Sequence, residues 1–182
     1  MIEKWETINT KIVDNFKIFD LIWITRQNKS LNKKSDFVVL NSPQWVNIIP
    51  ITKDNKVVLI EQYRQGIDDL TIEVPGGLIE PYENPLNAAM RECKEETGYS
   101  SNSEAVLLGI NSPNPAFLNN KCYSFVWFDC EKTDKQHLDK NEDIRVFELP
   151  MEDIKEWILT GKINHSLVLT AFFFYFLKYS KL

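Results

Sequence analysis

The chain has 182 residues, a net charge of −5 and an apolar fraction of 43%, values typical of one globular domain with a sizeable core. The acidic balance argues against a general nucleic-acid binder, which would carry a basic surface. Its first residues contain no apolar segment of the secretory type, and three scattered cysteines, Cys93, Cys122 and Cys130, form an odd set. We therefore expect free, buried thiols and a cytoplasmic protein.

The N-terminal quarter of the chain is predicted to form β-strands. Residues 1–42 contain three strand-like runs, Trp5–Val13, Phe16–Thr25 and Asp36–Leu40. The polar stretch Arg26–Ser35 predicts a turn region between the second and third runs.

Two further strands, Val46–Thr52 and Lys56–Tyr63, precede the segment that carries the chemistry. In that segment a helix is predicted from Pro85 to Thr97, because proline suits a first turn, Asn84 can cap it and Gly98 can end it. One face of this helix is predicted to be buried against the rest of the protein, and it consists of Leu86, Met90, Cys93 and Thr97.

The opposite side of the helix gathers Glu92, Glu95 and Glu96, with Arg91 beside Glu95 at i,i+4 spacing. Three neighbouring carboxylates repel one another unless a cation lies between them, and oxygen ligands suit Mg²⁺ or Mn²⁺ better than zinc. Taken alone, an E-x-x-E-E helix is more typical of a solvated acidic face than of a metal site.

The frame around this helix resembles the signature of the Nudix hydrolase family. Two glycines, four glutamates and one arginine match it over 23 residues, namely Gly77, Glu83, Arg91, Glu92, Glu95, Glu96 and Gly98. The resemblance implies that Glu92, Glu95 and Glu96 hold divalent metal ions together with the carbonyl oxygen of Gly76. It implies catalytic roles for Glu95 and Arg91, with Arg91 and Glu83 bracing the loop and helix.

The preceding segments, QYRQG and TIEVPGG, resemble the branch of this family that acts on ADP-ribose and nucleoside diphosphate sugars. Glu61 and Gly76 stand where that branch has arginine and alanine. By this resemblance Arg64 contacts a phosphate or the terminal sugar, and Glu73 contacts a ribose hydroxyl. An Arg64–Glu73 ion pair between neighbouring strands is the alternative.

A later loop, residues 112–124, lacks the glutamate that this branch commonly carries. We therefore expect Asn114, Asn119 and Asn120 to contact a nucleotide or sugar less selectively, although exposed loops often have such a composition.

The charged, apolar-poor stretch Glu131–Asp143 leads into NEDIRVFELP (residues 141–150), which resembles the catalytic loop and following strand of the same branch. It implies Glu142 as the general base, with Asp139 and Asp143 as alternatives. His137 is expected to be exposed.

Two helices are predicted to follow, Pro150–Thr160 and a buried Ser166–Tyr179, the second too short to cross a bilayer.

The resemblance implies an α/β fold, the Nudix α/β/α sandwich with a mixed sheet. Residues 43–182 would form the hydrolase domain, and residues 1–42 an antiparallel β segment that makes a homodimer, often by exchange between subunits in that branch. A small β-meander that caps its own domain is the alternative. Trp5, Trp23 and Trp45 are assigned to core or dimer contacts.

The implied reaction is Mg²⁺-dependent hydrolysis of nucleoside diphosphate sugars, including ADP-ribose, with neither nucleic acid nor membrane as a partner. The alternatives are hydrolysis of nucleoside triphosphates, dinucleoside polyphosphates or capped RNA, and a non-catalytic nucleotide sensor.

Overall fold

A computed structural model describes residues 1–179 of the chain. Its contacts define two compact units, one made of residues 1–44 and 112–121 and the other of the remaining described residues. The strands are β1 (Glu6–Phe16), β2 (Phe19–Asn28), β3 (Lys33–Asn41), β4 (Trp45–Thr52), β5 (Lys56–Arg64), β6 (Asp69–Glu73), β7 (Gly76–Leu78), β8 (Tyr99–Ser100), β9 (Val106–Asn111), β10 (Cys122–Lys132) and β11 (Ile144–Pro150). The helices are α1 (Pro85–Thr97), α2 (Ile154–Leu159), which follows a short 3-10 turn at Met151–Asp153, and α3 (Ser166–Tyr179).

The first unit contains an antiparallel sheet of order β1-β2-β3. The predicted turn region Arg26–Ser35 was too long, because strand β2 continues to Asn28 and strand β3 begins at Lys33. Polar residues in this stretch pair across the two strands through their main chains, so a polar composition did not prevent strand formation.

Strand β1 is exposed along its whole length. Its apolar side chains are therefore about half exposed among the described residues 1–179, Ile8, Ile12, Val13 and Phe16 among them.

The second unit contains a mixed sheet in which β4 and β10 are parallel and the other pairs are antiparallel. Strand β4 pairs with β5 near its end, at Ile51, and with β7 at its beginning, where Trp45 lies opposite Leu78. This change of partner places the Gly76–Leu78 main chain beside the first residues of β4.

Helices cover both faces of the mixed sheet. On one face Val46 and Ile48 of β4 join Ala89 and Cys93 of α1 in a buried cluster. On the other face alternate residues of β4 pack with Phe172 of α3 in a second cluster. The predicted α/β/α sandwich with an additional N-terminal antiparallel sheet is thus confirmed.

The three cysteines are free and buried, as expected. Burial raises the pKa of the Cys122 and Cys130 thiols to about 12. The C-terminal helix α3 buries one face but exposes Phe173 and Leu177 on the other. Across residues 1–179, no helix has both the length and the apolar character that a membrane span requires.

Candidate active site

Helix α1 has the predicted limits, Pro85 to Thr97. The side chain of Asn84 accepts a hydrogen bond from the Leu86 amide at 2.9 Å, which caps the first turn. Gly98 ends the helix in the left-handed conformation, with φ 74°, a geometry that glycine adopts without steric cost.

The two glycines of β7 allow the main chain to approach its neighbours closely. A Cβ atom at Gly77 would collide with the carboxylate of Glu92, and one at Gly76 would collide with the carbonyl oxygen of Val46. The Gly76 amide donates to Oε2 of Glu96 at 2.8 Å. Glycine in place of the branch's usual alanine is therefore a packing requirement of this site.

Two carboxylates of α1 lie in surroundings that disfavour their charged form. Glu96 is 3% exposed, and this burial raises its pKa well above the ordinary value despite the hydrogen bond from Gly76. Burial likewise raises the pKa of Glu92 to about 7, because it outweighs the attraction of Arg91. The third carboxylate, Glu95, is more exposed.

Arg91 lies among the acidic side chains as a fixed cation. Its Nη1 donates to Glu92 and Glu95, each at 2.9 Å, and its Nε donates to Glu83 at 2.9 Å. Its Nη2 also donates to the carbonyl oxygen of Leu78 at 3.1 Å. The guanidinium thus joins the loop after β7 to the helix.

Within residues 1–179, no three acidic, histidine or cysteine side chains already converge as a ready-made metal site. The donor set nevertheless fits a hard divalent cation. Glu92, Glu95 and Glu96 face one cavity and supply only oxygen ligands, and two of them already share one positive group, the Arg91 guanidinium.

This cavity has a volume of about 500 Å³, within the usual range for ligand sites. It brings together most of the predicted site residues from segments distant in sequence. Its lining consists of Trp45, Gln62, Arg64, Gly76, Gly77, Leu78, Glu80, Arg91, Glu92, Glu95, Glu96, His137, Asp139 and Glu142.

Arg64 and Glu73 form the ion pair that was the alternative interpretation of these residues. Nε and Nη2 of Arg64 donate to the two carboxylate oxygens at 2.7 Å each, and the Thr71 hydroxyl also donates to Glu73. Burial alone would raise the pKa of Glu73, but Arg64 outweighs it and holds that pKa below its usual value. Arg64 lines the cavity, whereas Glu73 is buried and does not line it.

The loop between β10 and β11 is attached to the end of α1. The amide of His137 donates to the Glu95 carbonyl at 2.8 Å, and Nε2 of Gln136 donates to the carbonyl oxygens of Glu96 and Ile144 at 2.8 and 3.0 Å. The bonds to Glu95 and Glu96 satisfy carbonyl groups that the end of α1 leaves unpaired.

The same loop carries the candidate bases. Oε2 of Glu142 accepts a hydrogen bond from the Asp139 amide at 2.9 Å, and both side chains line the cavity. Asp143 does not line it. His137 does line the cavity, with its side chain 53% exposed.

Asn114 and Asn119 lie in the first compact unit. Asn119 is held by its own unit, since its Nδ2 donates to Asn41 at 2.7 Å and its Oδ1 accepts from the Ser42 amide at 3.2 Å. Oδ1 of Asn114 accepts from the Ala116 amide at 3.4 Å. Their proposed contacts with substrate stay predictions, as do the roles of the other site residues.

Several lining residues were not predicted to lie at the site, Trp45, Gln62, Leu78 and Glu80 among them. Trp45 had been assigned to core or dimer contacts, yet it borders the carboxylate cavity. It reaches this position because β4 begins beside β7. No local sequence pattern around Trp45 predicts this strand pairing.

Comparison with known proteins identified one matching family profile and several proteins of similar sequence. The profile of the NUDIX domain matches residues 43–171. The chain is 30% identical over 134 residues to the methanol dehydrogenase activator of Bacillus methanolicus, covering 73% of this chain and 72% of that protein. It is 26% identical over 149 residues to the ADP-ribose pyrophosphatase of Bacillus subtilis (strain 168), covering 81% and 80%.

One solved structure, the crystal structure of an ADP compounds hydrolase, shares the fold. The TM-score is 0.85 at 21% sequence identity, and the match covers 100% of this chain and 99% of that one.

Proposed function

Because the chain belongs to the Nudix hydrolase family and is therefore an enzyme, we propose that it hydrolyses the diphosphate bond of nucleoside diphosphate sugars, ADP-ribose among them. The products would be a nucleoside monophosphate and a sugar phosphate. The single observation that carries this proposal is the cavity in which the α1 carboxylates, Arg64 and Glu142 meet. The similarity to an ADP-ribose pyrophosphatase supports the choice of substrate.

Nudix hydrolases generally use divalent metal ions, and we propose Mg²⁺, or Mn²⁺, for this enzyme. Glu92, Glu95 and Glu96 would hold the metal together with the carbonyl oxygen of Gly76. When bound, the ion would neutralise phosphate charge and make a water molecule more acidic. Burial raises the pKa values of Glu92 and Glu96 in the metal-free protein, and a bound cation would shift both back towards the charged carboxylate.

Arg64 supplies a fixed positive group for the substrate. Its bonds to Glu73 use two N–H donors and lock the side chain, which leaves further guanidinium donors for a phosphate oxygen. This preorganisation lowers the entropy that binding must remove. Glu73 would then act by positioning Arg64. We favour this role over the predicted direct contact between Glu73 and a ribose hydroxyl.

Glu142 is proposed to accept the proton of the attacking water. The water oxygen bonds to one phosphorus atom while the bridging P–O bond breaks, and the leaving phosphate takes the released electron pair. Positioned bases of this kind typically contribute a factor of about 10²–10⁴ to the rate. Asp139 lines the same cavity and is the rival residue.

We also propose that residues 1–42 mediate a homodimer and that the hydrolase domain is residues 43–182. The apolar side chains that β1 exposes, Ile8, Ile12 and Val13 among them, support this proposal, because exposed apolar patches of this kind often mark interaction surfaces.

Asn114 and Asn119 would contact the nucleotide or sugar. Three buried free thiols support a reducing, cytoplasmic location.

An activity screen with Mg²⁺ tests the proposal. The panel comprises ADP-ribose, GDP-mannose, a UDP-sugar, diadenosine polyphosphates, capped RNA and nucleoside triphosphates, and chromatography identifies the products. We expect AMP and ribose phosphate as the products from ADP-ribose. The kcat/KM values of the three nucleotide sugars should differ by less than about a hundredfold, which corresponds to a difference of less than about 3 kcal/mol in transition-state binding.

The breadth follows from the loop at residues 112–124, which lacks the glutamate of the ADP-ribose branch. A pocket with few obligatory hydrogen bonds penalises the wrong base only weakly. A preference above a hundredfold for one nucleotide sugar would contradict this breadth. Efficient cleavage of triphosphates, polyphosphates or capped RNA without cleavage of nucleotide sugars would contradict the proposed function itself.

A further inference from the structure

Gln62 lines the carboxylate cavity as an uncharged side chain among charged ones. Arg64 and Arg91 supply the guanidinium groups at the cavity. The acidic residues that line it are Glu80, Glu92, Glu95, Glu96, Asp139 and Glu142. A diphosphate is an anion that these carboxylates repel, so hydrogen-bond donors on the cavity walls would help to hold it.

Gln62 reaches the cavity from strand β5, two residues before Arg64. Alternate residues of a strand point to the same face, and two residues span about 7 Å. The carboxamide and the guanidinium therefore lie side by side on one face of β5. In β11, Ile144 pairs with Gln62, and Glu142 comes two residues before Ile144. Strand β5 thus presents two donor side chains beside the loop that carries the proposed base.

The carboxamide of Gln62 is available to a ligand. Within residues 1–179 it has no hydrogen-bond partner, whereas the main-chain oxygen of Gln62 accepts from the Thr71 hydroxyl at 3.4 Å. The residue is half-buried and lines the cavity. Because a carboxamide carries two N–H donors, this side chain can still donate.

Other donor side chains around the cavity are already engaged. The indole N–H of Trp45 donates to Oδ1 of Asn47 at 2.9 Å. Arg91 donates to three carboxylates and to one main-chain carbonyl. Two N–H groups of Arg64 are used in its ion pair, and the rest are available. Gln62 and Arg64 are therefore neighbouring side chains that both keep donors for a phosphate.

An uncharged donor suits this position. A lysine at the same place would be attracted to the surrounding carboxylates and would compete with a metal ion for them. A carboxamide can donate to a phosphate oxygen without adding a charge that alters the carboxylates.

We propose that Gln62 is a further catalytic residue, whose carboxamide N–H donates to a non-bridging oxygen of the diphosphate beside Arg64. Phosphoryl transfer is accelerated mainly by positioning and by groups that stabilise charge on these oxygens. A donor that is already in place contributes most where that charge develops. The proposal rests on the proposed hydrolase function and adds one contact with the reacting group.

The test uses two variants of the full-length chain. Gln62→Met removes both the donor and the acceptor with little change in length, and Gln62→Glu keeps an oxygen acceptor but removes the donor. With Mg²⁺ and ADP-ribose, kcat should fall about 10- to 100-fold in Gln62→Met and at least as far in Gln62→Glu. Calorimetry with ADP and Mg²⁺ should show the Kd of ADP rising about threefold or more in both variants.

Two measurements distinguish a contact with substrate from a structural role. Gln62→Met should unfold at the same urea concentration as the wild type, because the carboxamide makes no hydrogen bond within residues 1–179. Gln65→Met alters an exposed glutamine of the same segment that lies outside the lining of the carboxylate cavity. This control should match the wild type in kcat and in affinity for ADP.

Normal kcat or unchanged affinity for ADP in Gln62→Met would overturn the contact. A loss of stability large enough to explain its lower activity would also overturn it, by assigning Gln62 to folding. Near-normal kcat in Gln62→Glu would show that the side chain acts through its oxygen, which contradicts a donor role. If the wild type cleaves no nucleotide sugar, the proposed function itself fails, whereas an active wild type with equally active Gln62 variants refutes the role of Gln62 alone.

Discussion

Nε2 of Gln136 lies 2.8 Å from the main-chain oxygen of Glu96, and the same amide donates to the carbonyl of Ile144 at 3.0 Å. One side chain therefore connects the loop that carries Asp139 and Glu142 to the helix that carries the proposed metal ligands. We expect the spacing between base and carboxylates to depend on this connection, because most residues of the loop are exposed.

Replacing Gln136 should accordingly impair turnover more than binding. We expect Gln136→Ala to lower kcat about 10- to 100-fold, since small misplacements of a catalytic group carry costs of this order. KM should change little, and the free energy of unfolding should fall by about 1–2 kcal/mol for two lost hydrogen bonds. Lys135→Ala, at the exposed neighbouring position, is the control and should behave as wild type. A Gln136→Ala variant with lower stability and normal kcat would assign the residue to folding alone.

The choice between Glu142 and Asp139 as general base is open to a direct comparison. Glu142→Gln keeps an oxygen that can accept the Asp139 amide hydrogen bond but removes the basic carboxylate. We expect kcat to fall by about 10²–10⁴ in this variant and by less than tenfold in Asp139→Asn. Steady-state kinetics of both purified variants decides the matter, and the reverse order of effects would make Asp139 the base.

The Arg64–Glu73 pair predicts a pH dependence of stability. The folded-state pKa of Glu73 lies below its ordinary value of 4.5, so the pair contributes its full stability above about pH 4.5 and loses it as the pH falls through the lower, folded-state value. Glu73→Gln should cost about 1–3 kcal/mol at pH 7. Urea unfolding of both proteins at pH 7 and at pH 4 should show this difference shrinking on acidification. A difference that grows at low pH would contradict the assignment.

Deleting residues 1–42 should leave the hydrolase domain aggregated or as an inactive monomer. The deletion removes the sheet whose last strand holds the 112–121 segment, where the Leu40 amide donates to the Phe117 carbonyl at 2.8 Å. Light scattering after size-exclusion chromatography, combined with an activity assay, measures both effects. Removing only Met1 and Ile2, which are fully exposed, is the control. A soluble, fully active truncated monomer would show that the segment serves neither the dimer nor the substrate.

Local signals in the sequence predicted α1 to the residue. Asn84, Pro85 and Gly98 act through their own main-chain geometry, and the carboxylate face follows from helical periodicity alone. The fold class followed from the same motif through the family resemblance. The strand limits near Arg26–Ser35 were wrong because pairing between neighbouring strands outweighed polar composition.

The remaining site residues depend on contacts between distant segments. Trp45 joins the site through the β4–β7 pairing, and Gln136 is connected to it through a helix end. Each is an ordinary residue in an ordinary local sequence, so only the folded chain reveals its position. The Arg64–Glu73 ion pair is likewise seen only in the folded chain, and the contacts of both residues with substrate stay predictions.

The central claim is that the α1 carboxylates support metal-dependent hydrolysis of a nucleotide sugar, and Glu96→Gln tests it most directly. Glu96 is buried, and like-charged neighbours at Glu92 and Glu142 raise its pKa further, so the amide should leave the metal-free protein at least as stable. Turnover of ADP-ribose with Mg²⁺ should fall by about 10²–10⁴, as expected when transition-state charge loses part of its stabilisation. Near-normal Mg²⁺-dependent turnover in a folded Glu96→Gln variant would contradict the account.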